Sequence, residues 1–279
     1  MMDRRRTPAN ARVALESATS APANLPRVAG VPARISVPVA DLLAAPEGAR
    51  DRQLLFGDEV TLIEARNGFS FVQAAKDGYV GYLPDTALAA PQEATHWVSA
   101  PATHLYTKPD FKSADRLSLS FGSRVRITSQ KGRFCETPDG FIPAQHVTPL
   151  GEHLTDPTAV AALFLGTPYL WGGNSAFGID CSGLIQAACL ACTIPCPGDS
   201  DMQAAELGTL LPEGTPPQRG DLLFWKGHVA LVVSGDTLIH ANAHHMAVAY
   251  EPLDAAIERI AQQGDGPVTA HRRLPVVEV

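Results

Sequence analysis

The chain lacks any run of roughly 18 apolar residues, so none of its 279 residues read as a membrane-spanning helix. It also lacks a basic stripe. Lys and Arg number 22 against 29 Asp and Glu, the net charge is −7, and the short Arg4-Arg5-Arg6 run stands alone near the start. Binding a phosphate backbone needs several clustered cations, so nucleic acid is not an expected partner. Residues 1–26 are rich in Ala, Pro, Ser and Thr and contain no continuous apolar core, so no signal peptide is read there. A disulfide framework is missing too: five cysteines is an odd number, and a chain this long builds cores without staples. A reducing compartment, the cytoplasm, is the expected location. Apolar residues at 45% and charged residues at 18%, with 23 Gly and 23 Pro spread throughout, exclude collagen-like and disordered chains. The length predicts two or three folded units.

Residues 1–30 show no periodicity, and Pro8, Pro22, Pro26 and Pro32 discourage long elements, so this arm receives no assigned structure. Beyond it the sequence repeats. Phe56-Gly57-x-x-Val60 recurs 65 residues later as Phe121-Gly122-x-x-Val125, Leu43-x-x-Pro46 is echoed by Tyr106-x-x-Pro109, Gly78-Tyr79 by Gly140-Phe141, and Pro84 by Pro143. Short β-rich runs such as Val60–Ile63 and Arg124–Ile127 alternate with Gly or Asp turns, so 31–92 and 93–150 read as two small antiparallel barrels of about 55 residues each.

At Asp156 the pattern changes. "DPTAVAALFLG" has helical spacing after an Asp N-cap and a proline at the first helical position. "SGLIQAACLAC" reads as a second helix, and "GDLLFW", "HVALVV" and "TLIHAN" as strands, which makes 151–279 an α+β domain.

Cys181 stands at the start of that second helix, behind the N-cap Asp180. Unpaired amides and the positive helix end favour a thiolate there, with pKa values of roughly 3.5 to 7.5 on record for thiols so placed. The same amides could hold an oxyanion. A lone cysteine is more often a buried packing residue, so a base is needed. His228 and His240 supply one if Ser234-Gly235-Asp236 is a three-residue hairpin loop. Val233 then pairs with Thr237, His228 stands opposite Asn242, and His240 is its diagonal neighbour on the same face. A two-residue loop would send the histidines to opposite faces. The spacing therefore predicts a Cys-His-His set in which His228 is the base and His240 orients it.

"TPYLWGG", "DCSGLIQ", "CPGDSDMQ", "RGDLLFWKGHVALV" and "LIHANAHH", in that order, resemble the NlpC-type cell-wall peptidases, papain-like cysteine hydrolases, here preceded by two bacterial SH3-like modules. The resemblance implies a multidomain chain: two all-β SH3-like barrels, then an α+β papain-like catalytic domain. It implies cleavage of the γ-D-glutamyl-L-diamino acid bond (diaminopimelate or lysine) in murein tripeptides or tetrapeptides, with Cys181 as nucleophile, His228 as base and His240 as third member, and no metal or other cofactor. It further implies a recycling enzyme whose first module closes one end of the cleft, so that substrates carry a free N-terminal L-alanine. By position, the alanine ammonium would meet Asp199 and Ser200, with Asp180 and Ser182 beside the nucleophile, Trp171 lining the cleft, and Tyr79 and Asp51 (or Glu47) contributed by the first module. Taken alone, Tyr79 reads as a barrel packing residue and Asp51 as a solvated charge. Two other functions fit parts of the pattern: a papain-like amidase or acyltransferase acting on another small substrate, and a non-catalytic protein that binds wall fragments.

Cys189-x-x-Cys192-x-x-x-Cys196 supplies only three thiols and begins inside a helix, so packing is preferred over a cluster. Arg272-Arg273 reads either as a solvated pair or as a partner for a substrate carboxylate.

Overall fold

Phe56 and Phe121 hold equivalent places in two copies of one β-structure, in a computed structural model that describes residues 3–276. The chain folds as two units, one ending at Leu150 and the other beginning at Gly151. In the first unit the amide of Phe56 donates to Pro38 O at 3.1 Å and that of Phe121 to Pro101 O at 2.9 Å, while Gly57 and Gly122 donate to Ile35 O and Val98 O, each at 2.9 Å. Strand pairing repeats as well. Strand Val39–Leu43 lies between Arg50–Leu55 and Val80–Pro84, and Ala102–Tyr106 lies between Asp115–Ser120 and Gly140–Pro143. Each copy then makes a single 3₁₀ turn, Asp85–Ala87 or Ala144–His146, entered from Pro84 or Pro143. Leu42, Leu54 and Leu83 are buried in one copy and Leu105, Leu119 and Ile142 in the other.

At one landmark the repeat aligns differently from the sequence pattern. Leu43 pairs with Tyr82 and Tyr106 with Phe141, so the counterpart of Gly140-Phe141 is Gly81-Tyr82 rather than Gly78-Tyr79. Close packing explains why glycine recurs there. A Cβ at Gly81 would stand 2.9 Å from Leu43 O, and one at Gly140 2.6 Å from Tyr106 O.

The aperiodic arm belongs to the first unit's core. Val13, Ala14, Leu15, Ala18 and Ala21 are buried against Ile63, Phe71 and Val80. The arm makes a two-residue parallel pairing, Ala14–Leu15 with Arg27–Val28, and Val80 N donates to Arg5 O at 2.8 Å. Side chains add to this: Arg27 donates to the carbonyls of Leu15, Ala18 and Ala21, and Arg12 pairs with Glu64 at 2.6 Å. Burial of small apolar side chains, with no regular period, left nothing for a pattern reading to detect.

The second unit is an antiparallel six-stranded sheet ordered Thr209–Leu210, Ala270–Arg273, Asp221–Trp225, His228–Ser234, Thr237–Asn242, Ala247–Pro252. Four helices join it: α1 (Pro157–Ala162), α2 (Cys181–Ala191), α3 (Ser200–Glu206) and α4 (Leu253–Gln263). Asp156 caps α1 by accepting from Thr158 N, as its sequence predicts, but the helix ends at Ala162, and Leu163 and Leu165 beyond it are exposed. α2 runs along the two histidine strands. α4 lays Leu253, Ala256 and Ile260 on Leu223, Trp225, Ala230, Val232 and Leu238.

The hairpin between the histidine strands departs from expectation in an instructive way. Ser234 pairs with Thr237, so the turn is the two residues Gly235 and Asp236, not three. Val233 is an extra residue on its strand, and Val232 pairs with Leu238 and Leu231 with Ile239. The bulge takes up the odd residue and restores the register that a three-residue loop would have produced. His228 and His240 therefore share a face, reached through a different turn.

Candidate active site

Asp180 organises the loop and helix that present Cys181. Its Oδ1 accepts from Gly183 N at 2.7 Å and from Ser182 Oγ at 3.0 Å, and its Oδ2 from Gly172 N at 2.9 Å. Thus one carboxylate caps α2 and ties the glycine loop behind Trp171 to the helix start. Gly173 sits so close that a Cβ there would lie 2.5 Å from Gly178 O. Cys181 follows in the first turn, 7% exposed, with its Sγ 3.9 Å from Gly227 O. Burial, and next the Asp180 charge, push the thiol up to about 12, against lowering by the backbone amides of Val229, Ser182 and Cys181 itself. The sequence expectation of a depressed thiol pKa is therefore corrected. A helix start favours the thiolate, but here desolvation outweighs it.

His228 follows Gly227 directly. Its Nε2 lies 2.9 Å from Nδ1 of His240, which is the contact the register predicts. His240 is fully buried, and its Nε2 lies 3.0 Å from Glu251 Oε2. Arg259 on α4 then grips that carboxylate with two bonds, Nε to Oε1 at 2.8 Å and a terminal nitrogen to Oε2 at 2.7 Å. Burial first, and then the charges of His240 and Arg259, lower His228 to about 3. Burial lowers His240 to about 4 against the opposing pull of Glu251. Both imidazoles are thus neutral at pH 7, as is the thiol. Among the described residues no hydrogen bond joins Cys181 to His228, and the thiol points toward Gly227 O instead.

Glu251 and Arg259 escape a reading of spacing. The strand carrying Glu251 pairs with the His240 strand (Leu238 with Glu251, His240 with Ala249). The signal was an acidic residue one position before Pro252, followed by an amphipathic helix with an arginine eight residues on.

Asp199 and Ser200 begin α3. Buried Gln203 holds that helix to α2 by donating to Ser182 O at 2.9 Å and to Pro197 O at 3.0 Å. Trp171 is 69% exposed at the mouth of the glycine loop. Tyr79 and Asp51 lie in the first unit. Tyr79 is buried, with the Arg52 guanidinium 5.7 Å from its ring, and Asp51 accepts a bidentate pair from Arg4 at 2.6 and 2.9 Å. An ammonium at Asp51 would have to displace Arg4. Glu47 is an exposed residue with φ 57°. Arg272 caps the C-terminal carbonyls of α3, and Arg273 pairs with buried Asp221 at 2.7 Å. Both arginines therefore serve the fold. Cys189, Cys192 and Cys196 are buried, and Cys189 is held well above its ordinary value, first by its hydrogen bond to Cys196 and then by burial. These are packing thiols. His240, His245 and Glu251 offer ligand atoms within 4.8 Å of one another, but both nitrogens of His240 and both oxygens of Glu251 already carry hydrogen bonds, and His245 Nδ1 bonds Asn242 Oδ1. That donor set does not fit a metal.

A thiol at a helix start beside two linked imidazoles supplies what a thiol-dependent hydrolase requires: a nucleophile, a base and a group that orients the base. Residues 166–261 match the NlpC/P60 family, and residues 42–88 match the bacterial dipeptidyl-peptidase Sh3 domain. A gamma-D-glutamyl-L-lysine dipeptidyl-peptidase of Bacillus subtilis is 31% identical over 217 residues, covering 68% of this chain and 71% of that one. One from Bacillus cereus, with the same name, is 27% identical over 241 residues, covering 73% and 71%. The crystal structure of an NlpC/P60 family protein from Bacillus cereus superposes with a TM-score of 0.74 at 24% identity, covering 88% of this chain and 100% of that one, and so shares its fold. The chain belongs to the NlpC/P60 family of peptidases and carries a bacterial SH3 domain ahead of the peptidase region.

Proposed function

We propose that the protein is a cysteine endopeptidase that hydrolyses the γ-D-glutamyl-L-diamino acid bond of free murein peptides. The observation that carries this is the His228–His240 bond at 2.9 Å, set beside the Cys181 helix start, in a chain whose relatives are named for the γ-D-glutamyl-L-lysine bond. The Cys181 thiol attacks the γ-carbonyl carbon of D-glutamate while His228 takes its proton. That proton then passes to the amine of the departing diamino acid, and water, deprotonated by His228, cleaves the thioester. Amides of the first turn of α2 point toward the developing oxyanion. Because thiol and imidazole are both neutral at rest, proton transfer accompanies attack rather than preceding it.

We read residues 31–92 and 93–150 as two SH3-like domains, 1–30 as an arm of the first, and 151–279 as a papain-like domain. The repeated backbone bonds support the pair. The alanine ammonium is assigned to Asp199 and Ser200, which Gln203 fastens beside the nucleophile helix. A dipeptide with a free amine is the expected product, which makes the enzyme a recycling peptidase. The five cysteines are free thiols, which suits the cytoplasm. The test compares L-Ala-γ-D-Glu-meso-diaminopimelate with its N-acetyl form. The free peptide should release L-Ala-D-Glu and the blocked one should not; equal cleavage of both would refute recognition of the amine.

A further inference from the structure

The arrangement continues past the two histidines. We propose that Glu251, clamped by Arg259, is a positioning residue that sets the tautomers of both imidazoles, so that Nδ1 of His228 is the atom that takes the thiol proton. Protons can be counted along the chain of bonds. A carboxylate only accepts hydrogen bonds. Arg259 holds the Glu251 carboxyl down to about 2, chiefly through its side-chain bonds, so the group is ionised. His240 must then donate its Nε2–H to Glu251 Oε2, 3.0 Å away. A neutral His240 that is protonated on Nε2 has a bare Nδ1, which can only accept. The partner of that atom is His228 Nε2 at 2.9 Å, so His228 carries its proton there. Its Nδ1 is left with a free lone pair, and among the described residues that atom makes no hydrogen bond.

During catalysis the thiol proton lands on Nδ1 of His228. The resulting imidazolium keeps Nε2–H directed at His240, and the positive charge is faced, through His240, by the Glu251 carboxylate. No proton need leave His240. With the opposite tautomer, His228 would present an N–H to the thiol and could not act as base.

The role rests on the reading of His228 as base, and the experiments separate the two. Nitrogen-15 NMR of histidine-labelled protein at pH 8 reports the His228 tautomer directly and needs no variant: protonation on Nε2 is expected, and protonation on Nδ1 overturns the proposal. Glu251→Ala should then populate the Nδ1–H form and lower kcat roughly 10- to 100-fold with KM little changed, by analogy with the range for outer partners that orient metal-bound imidazoles. Glu251→Asp should recover part of that loss. A folded Glu251→Ala protein with the wild-type tautomer and wild-type kcat would also overturn it. His228→Ala is the control for the underlying reading: if that variant keeps its turnover, the base assignment fails, whatever the tautomer proves to be.

Discussion

Val232 pairs with Leu238 across a hairpin whose turn is only Gly235 and Asp236. With a turn that short and no compensation, every side chain beyond it would change faces. The bulge at Val233 prevents this by taking up the odd residue. Deleting Val233 should let Ser234 follow Val232 in regular pairing, keep Val232 opposite Leu238 and His228 beside His240, and so preserve peptide cleavage; loss of turnover in a deletion variant that still folds by circular dichroism would contradict this account of the bulge.

The neutral resting pair has a signature. With Cys181 raised to about 12 by burial and by Asp180, alkylation of the free enzyme by iodoacetamide should climb through the alkaline range rather than reach a plateau at acid pH. A plateau beginning near pH 4 would mean a preformed thiolate.

Asp180 both caps α2 and raises the thiol. Asp180→Asn keeps an oxygen acceptor but removes the charge, so the alkylation profile should move to lower pH. Asp180→Ala should lower stability by about 1–2 kcal/mol through the lost cap, measured by urea unfolding.

Stability should fall on the acid side. His228 and His240 are depressed to about 3 and about 4 from an ordinary 6.5, so the unfolded chain binds protons first as pH drops below about 6.5. Their neutral burial costs nothing extra above that pH and is increasingly penalised down toward the folded values. Glu251, lowered to about 2 by Arg259, adds stability above its ordinary value of 4.5 that is lost as pH falls through 2. Thermal unfolding of the protein should show Tm declining steadily from pH 7 to pH 4, and a flat profile would contradict the burial of neutral imidazoles.

The glycines at equivalent strand contacts give a further check on the repeat. Gly81→Ala and Gly140→Ala should each destabilise by roughly 1–3 kcal/mol, because the added carbon meets a backbone oxygen at 2.9 or 2.6 Å. Gly235→Ala, with nothing within 4 Å, should be close to neutral.

What could be read from the sequence followed short-range rules. Asp180 and Asp156 are caps because Asp precedes an apolar helical face, and the histidine register follows from a period of two. The Phe-Gly landmarks recur with matching backbone bonds, but the counterpart of Gly140-Phe141 is Gly81-Tyr82, because only the pairing of Leu43 with Tyr82 identifies Gly81 as the close-contact position. What was hidden depended on distant segments meeting. Arg4 reaches Asp51 across 47 residues, and Glu251 meets His240 only because a third strand joins the hairpin. The raised thiol pKa lies outside short-range rules for a related reason: a helix start is local, while burial is set by the whole unit.

Cys181 is proposed to cleave the bond after γ-D-glutamate. Incubating wild-type protein and Cys181→Ala with L-Ala-γ-D-Glu-L-diamino acid tripeptides, and identifying products by mass, tests it directly. The wild type should release L-Ala-D-Glu and the free diamino acid, and the variant should be slower by roughly 10⁴-fold or more. Cleavage at another bond, or a variant that cuts at the wild-type rate, would contradict the assignment.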